Sequence, residues 1–322
     1  MTSCTIILAH FEALPFLRTC IRKIRQFKHA EIEQKIILTE QSSEDCYNKV
    51  MAEFGNDEDV TIIRLKPLWD GYSIDYIMRF CDVKTEYVCM IETDVFPIHK
   101  NWLYVCINLI KEYGFSFVGG LLSETSGTES IYPPNKFYWL SQYLRVGKTE
   151  DYKELAMEGG FTRFHARKEL EESGEMKWGN DDWKKWASED YQVRGSDNAV
   201  VAHYWEDKYR ENNKFSFAVT NVMGVPPESG YGRIIDDIIF HFGFHRTSVG
   251  VENEMGKKYC DWKDRINNGC DDGLIDEMLS FARAANPIQD AFTTRSVWDG
   301  KLKKSFPASE ELHKRIEELK KA

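Results

Sequence analysis

Apolar residues in the first part of the chain fall into two alternating rhythms. Short, nearly unbroken apolar runs occur at residues 5–9, 35–39, 60–65, 87–91 and 115–118. Runs of that length, rich in β-branched residues, predict strands buried on both faces. Between them the spacing changes to three and four. Leu14, Leu17, Ile21 and Ile24 mark one face of an amphipathic helix over residues 12–27. Ser43 is placed to cap a helix over residues 44–54, and further helices are predicted over residues 73–83 and 101–113. Strands separated by helices build βαβ units. The predicted class is therefore α/β, a mainly parallel sheet flanked by helices. Ligands of such sheets bind beyond the carboxyl ends of the strands, so the chemistry is sought in the residues that follow each run.

The second half is less regular. Residues 158–165 (Glu-Gly-Gly-Phe-Thr-Arg-Phe-His) lead into a short charged helix over residues 166–173, and residues 177–186 are rich in Trp and Asp. Aromatic rings beside carboxylates suit a sugar, and they suit an aromatic core equally. Ser196 can cap a helix carrying Val200, Val201 and Tyr204, and residues 211–219 read as a turn into a strand. Residues 236–248 hold a short apolar strand that delivers His241, followed by His245 and Arg246. From residue 250 to the end the chain is charged and helical, and Ser309 can cap a final helix over residues 310–321 with acidic residues first and lysines last. The expected organisation is 1–125, a ligand-binding half; 126–250, the remaining half of the same domain; and 251–322, a helical extension.

Composition narrows this reading. The chain has 322 residues, 42% of them hydrophobic, which excludes a disordered or fibrous protein. Its net charge of −10 argues against broad nucleic-acid binding. No apolar run reaches the roughly 18 residues that a membrane span needs, and no secretory signal pattern is present. The eight cysteines form no CxxC pair and several sit inside apolar runs. They read as reduced thiols of a cytoplasmic protein.

The most informative residues follow the fourth run, where Glu92-Thr-Asp94 places two carboxylates at i and i+2. On an extended backbone both face one side. Hard oxygen ligands of this kind suit Mg²⁺ or Mn²⁺, which in turn can hold a diphosphate. A strand end that simply meets water would also carry such residues. His10 and Glu40 end the first two strands, and Gly71 lies after the third. There is no GxGxxG after the first strand, no GxxxxGK[ST], no GxSxG and no HExxH, which removes the common dinucleotide, P-loop, serine-hydrolase and zinc-protease sites. Arg246 has the geometry to bind a diphosphate bidentately.

These segments, in this order, resemble the inverting GT-A glycosyltransferases of the family-2-like group. The resemblance is carried by residues 6–17, by residues 36–45 with their polar strand end, by Gly71, and by Tyr87-Val-Cys-Met-Ile-Glu-Thr-Asp-Val-Phe-Pro97 leading to Asn101-Trp-Leu103. It covers about residues 4–120. Glu40 and Glu92 stand where the family usually has Asp, and Asp75 where Asn or Arg is common.

The resemblance implies a GT-A, Rossmann-like fold and a metal-dependent transfer of sugar from a nucleoside diphosphate donor to an acceptor hydroxyl, with inversion. It implies that His10, Glu40, Gly71 and Glu92 line the donor site with Arg246, that Glu40 accepts hydrogen bonds from the base, and that Gly71 lets backbone approach the nucleotide. Asp94 and His241 would bind Mn²⁺ or Mg²⁺, with His245 close behind His241. The Gly-Gly-Phe segment would be a strand flooring the acceptor pocket. Asp197 stands where the family places its general base, a role for which Asp182 and Asp190 compete. The alternatives are a nucleotidyltransferase, disfavoured by the lack of a Gly-rich basic loop after the first strand, and a catalytically silent nucleotide- or sugar-binding module. The sequence leaves the sugar, the acceptor and the oligomeric state open.

Overall fold

The computed structural model describes residues 1–120, 122–124, 138–140, 144–158, 160–162, 164–179, 216–219, 222–224, 233–235, 237–242, 254–268, 272–284 and 309–322. The chain opens with β1 (Thr2–His10), α1 (Leu14–Gln26), β2 (Ile32–Glu40), α2 (Glu44–Phe54), β3 (Val60–Arg64), α3 (Trp69–Phe80) and β4 (Tyr87–Glu92). A short β5 (Val95–Pro97) precedes α4 (Trp102–Tyr113), β6 (Phe117–Gly120), β7 (Leu122–Glu124), β8 (Tyr138–Leu140) and β9 (Leu144–Lys148). Then come α5 (Thr149–Glu158), α6 (Phe164–Glu172), β10 (Ser216–Val219), β11 (Val222–Gly224), β12 (Arg233–Ile235) and β13 (Ile239–His241). Among the described residues three helices follow, α7 (Glu254–Asn267), α8 (Asp272–Ala284) and α9 (Ser309–Lys321).

Local chemistry explains several boundaries. Pro15 sits in the first turn of α1, where its missing N–H costs nothing. The Ser43 side chain accepts the Cys46 N–H, capping α2 as expected. Gly114 closes α4 with φ 71, a left-handed position that glycine takes without strain. Helix α3 starts at Trp69, four residues earlier than its apolar spacing indicated, so Gly71 lies in its first turn and not in a loop before it.

The main sheet has seven strands in the order β10-β6-β9-β4-β1-β2-β3. Neighbours are parallel except around β9, which runs antiparallel between β4 and β6. A second, four-stranded antiparallel sheet, β11-β12-β13-β5, brings residues near 240 against the turn that follows β4. The expected mainly parallel α/β sheet is present; within it β9 is the strand that the sequence pattern did not announce, and outside it β5, β7, β8, β11 and β12 were likewise unannounced.

Burial follows the two-residue period of the strands. Ile6, Leu8, Cys89 and Ile91 face the larger core beneath α1, α2 and α4, whereas Ile7, Ala9, Val88 and Met90 face a smaller one beneath α3 and α5. The larger core also takes in Trp262 and Ile266 of α7, Leu274, Ile275 and Met278 of α8, and Leu312, Ile316 and Leu319 of α9. Helix α9 lies against α4, where Arg315 pairs with Glu112 and the Asn101 Nδ2 donates to the Leu319 and Lys320 carbonyls at 2.9 and 3.1 Å. Burying each large apolar side chain contributes about 1.5–3 kcal/mol. An ion pair as exposed as Arg315–Glu112 contributes roughly 0.2–1 kcal/mol, so the apolar stripe docks α9 and the polar contacts set its register.

Cys4, Cys20, Cys89 and Cys106 are fully buried and unbridged. Burial pushes the thiols of Cys4, Cys20 and Cys89 far up. No described helix is long and apolar enough to cross a membrane.

Candidate functional site

The carboxyl end of β4 gathers the strongest chemistry. Glu92 ends the strand, Thr93 and Asp94 turn, and β5 starts at Val95. The two carboxylates therefore converge across a turn, not along one extended strand. On the antiparallel ladder His241 lies opposite Val95, and the Phe242 N–H donates to the Asp94 carbonyl at 2.9 Å. This register puts the His241 Nε2 3.8 Å from Glu92 Oε2 and 3.8 Å from Asp94 Oδ2. The three ligand atoms lie within 4.8 Å of one another. Atoms about 2.1 Å from one small divalent ion are at most about 4.2 Å apart, so modest side-chain rotation closes the group around a cation. Asp94 and His241 are nearly enclosed, with side-chain exposures of 3% and 8%, while Glu92 is at 23% and opens to solvent. Two carboxylates and an imidazole form a donor set that a divalent transition ion accepts. Among the described residues, this is the group of His, Cys, Asp and Glu side chains that fits a metal.

One strand over, the ends of β1 and β2 meet. His10 and Glu40 are in register on the parallel pair. The His10 Nδ1 lies 2.5 Å from Glu40 Oε2, and both side chains have 0% exposure. The Ala13 N–H donates to His10 Nε2 at 3.1 Å. An accepting Nε2 assigns the proton to Nδ1, which donates to Glu40. The other Glu40 oxygen accepts the Ser42 N–H at 2.6 Å. Burial pushes the Glu40 carboxyl up, yet the donors from His10 and Ser42 outweigh it and hold it below the ordinary glutamate range.

A third cluster joins α3 to the Gly-Gly-Phe segment. The fully buried Asp75 accepts from the Phe161 N–H at 2.8 Å, the Thr162 N–H at 2.9 Å and the Thr162 hydroxyl at 2.6 Å. Burial raises its carboxyl despite these donors and the nearby Arg167 charge. Arg167 donates to the Thr162 carbonyl at 2.7 Å and stacks 4.6 Å from the Trp178 ring centre. Gly160 has φ 69, and a Cβ there would meet Trp178 at 2.0 Å. A Cβ on Gly71 would meet the Phe161 carbonyl oxygen at 2.1 Å.

Comparison with solved structures finds S. aureus TarS residues 1–349, at 13% identity and TM-score 0.36 over 49% of this chain and 50% of that one. The same protein in complex with UDP-GlcNAc matches at 13% identity and TM-score 0.37, over 49% and 48%. The aligned region spans about half the length of those structures. No curated protein matches the chain. A family model, glycosyl transferase family 2, matches residues 4–173 of the 322. The chain belongs to glycosyl transferase family 2. It is the family that its sequence resemblance implied.

In this family-2 chain the structure brings Glu92, Asp94 and His241 together, although His241 lies outside the matched residues. His10 and Glu40 are also brought together, but with each other, inside the protein. Glu40, expected to accept from a base, has one oxygen beside the His10 ring and the other accepting from the Ser42 N–H. Gly71, expected to admit a nucleotide, admits the Phe161 backbone. The Gly-Gly-Phe segment is a loop at residues 160–162, where the left-handed Gly160 does not fit the expected strand. Asp182, Asp190, Asp197, His245 and Arg246 lie outside the described residues. The sequence reading noted Asp75 only as a departure from the family pattern. Its signal was a carboxylate inside an otherwise apolar helical face beside Ile74, Ile77 and Met78.

Proposed function

We propose that this family-2 glycosyltransferase moves a sugar from a nucleoside diphosphate donor to an acceptor hydroxyl, with inversion, in a manganese- or magnesium-dependent reaction. The observation that carries the reading is the convergence of Glu92, Asp94 and His241 at the carboxyl edge of the sheet, where α/β folds bind ligands. Asp94 and His241 would hold the cation, with Glu92 at the open side. When bound, the cation would neutralise charge on the departing diphosphate. The imidazole ligand favours Mn²⁺ over the more strictly oxygen-seeking Mg²⁺.

Asp197 is the proposed base, by its place in the family order. Its carboxylate would take the proton of the acceptor hydroxyl as that oxygen bonds to the anomeric carbon. The bond from that carbon to the diphosphate oxygen breaks, and the nucleoside diphosphate leaves with the bonding pair. The donor-side wall is formed by the turns after β1 and β2, and Arg246 is proposed to meet the diphosphate.

Calorimetric titration with Mn²⁺, then with UDP and GDP, tests this reading. The wild-type protein is expected to bind Mn²⁺ and to need it for nucleotide binding, and Asp94→Ala is expected to lose both while keeping its circular dichroism. Equal Mn²⁺ affinity in the two proteins would overturn the metal assignment.

A further inference from the structure

We infer that Glu40 is a positioning residue which, by locking His10, fuses the turns after β1 and β2 into one rigid wall of the donor pocket, and that it does not read the donor's base. The inference rests on the proposed nucleotide-binding role of this edge.

The two turns are cross-linked at every level. The Gln41 N–H donates to the His10 carbonyl at 3.0 Å. The Glu12 N–H donates to the Ser42 hydroxyl at 2.7 Å, and the Ser43 N–H donates to the Glu12 carboxylate at 2.5 Å. Those Ser43 contacts hold the Glu12 carboxyl below its usual range. Glu12 takes φ 54, an uncommon conformation for a residue with a Cβ, which persists where its surroundings over-determine it. The centre of the knot is the His10–Glu40 pair, with Ala13 feeding His10 from one side and Ser42 feeding Glu40 from the other. The knot reaches α3 through the Gln41 amide and the Thr39 hydroxyl, each donating to the Ser73 hydroxyl at 2.8 Å.

The Glu40 side chain is wholly closed off from solvent, so to meet a base it would have to swing out of the knot, leave two short hydrogen bonds and abandon two buried donors. One new contact to a base would not make good the loss of both. The side-chain length is the decisive detail. An aspartate here would end one methylene short of the His10 ring. The extra methylene of Glu40 is what lets it span to the neighbouring strand end.

The test measures Mn²⁺-dependent binding of UDP and GDP to wild-type protein, Glu40→Asp, His10→Ala and the double variant, with ¹⁵N NMR of the histidine rings. Wild-type His10 is expected as the neutral Nδ1–H tautomer. Glu40→Asp is expected to lower affinity for both nucleotides by the same factor, about tenfold for one buried donor left unsatisfied. Adding His10→Ala to it should lower affinity no further. A base-reading Glu40 gives the opposite pattern: Glu40→Asp is tolerated or changes the UDP-to-GDP ratio, and the His10 loss adds in full. An Nε2–H tautomer in the wild type would also overturn the lock. If Glu40→Asp does not fold, Glu40→Gln replaces it. Its single oxygen leaves either the Ser42 or the His10 donor unmet, so the same proportional loss is expected. Should wild-type protein bind neither nucleotide, the proposed function falls, while the tautomer and the non-additivity of the variants in thermal unfolding still decide the lock.

Discussion

Gly71 shows how far a single missing carbon reaches. In most helices an alanine would be favoured over glycine by about 1 kcal/mol. Here a Cβ would stand 2.1 Å from the Phe161 carbonyl oxygen, and backbone, unlike a side-chain tip, does not swing aside. Gly71→Ala is therefore expected to destabilise the protein by about 1–3 kcal/mol, as overpacking does, despite its better helix propensity. Thermal unfolding checks the sign, since a raised Tm would mean that residues 160–162 do not rest on α3. The same residue marks a limit of sequence reading, because a glycine declares that something comes close without saying what. Glu92, Asp94 and His241 were legible because Glu92 and His241 are the last residues of their apolar strands and Asp94 follows in the next turn, which ties all three to the sheet edge. The partnership of His10 with Glu40 was not, because it depends on the register of two strands, and register is set by packing that neither segment encodes alone.

Among the elements, the long strands β1 to β4 were the easiest to foresee, whereas the short β5, β7, β8, β11 and β12 gave no signal of their own. Those at the sheet centre are buried on both faces, so their sequences cannot hide. Strand β9, Leu-Arg-Val-Gly-Lys, was missed because it is short and carries two basic residues and a glycine. One of them, Arg145, is buried over the Phe161 ring, a packing solution invisible in a hydropathy pattern. Asn101 reads as the start of α4, and it does precede that helix. Its side chain nevertheless makes no cap for α4 and serves the end of α9, 218 positions away. Asn101→Ala is expected to cost about 1 kcal/mol through loss of these bonds to α9 carbonyls, with faster amide exchange confined first to α9. Asn101→Asp is expected to cost more, because a carboxylate would face the negative end of the helix. Unchanged exchange in α9 would show that its apolar stripe holds it unaided.

For the molecule as a whole, the family match and the folded unit do not coincide. The match stops at residue 173, but one buried core runs from Cys4 to Leu319. The expected boundaries near residues 125 and 250 mark changes in sequence texture, and the core crosses both of them. Helices α7, α8 and α9 share the core that takes in Val95 and Phe96 of β5 and Ile239 and Phe240 of β13, and so help to hold the turn and strand that carry Asp94 and His241.

The sealed thiols turn that shared core into its own stopwatch. Cys4, Cys20, Cys89 and Cys106 have no water contact, whereas Cys81 and Cys260 are partly exposed. An aqueous alkylating reagent should tag the latter pair promptly and the inner four only when the whole interior comes apart. Peptide mapping of tagged protein at timed intervals would read that opening directly, with no fluorophore or mutation added. Prompt tagging of Cys89 would reveal a route into the interior that the closed form does not contain.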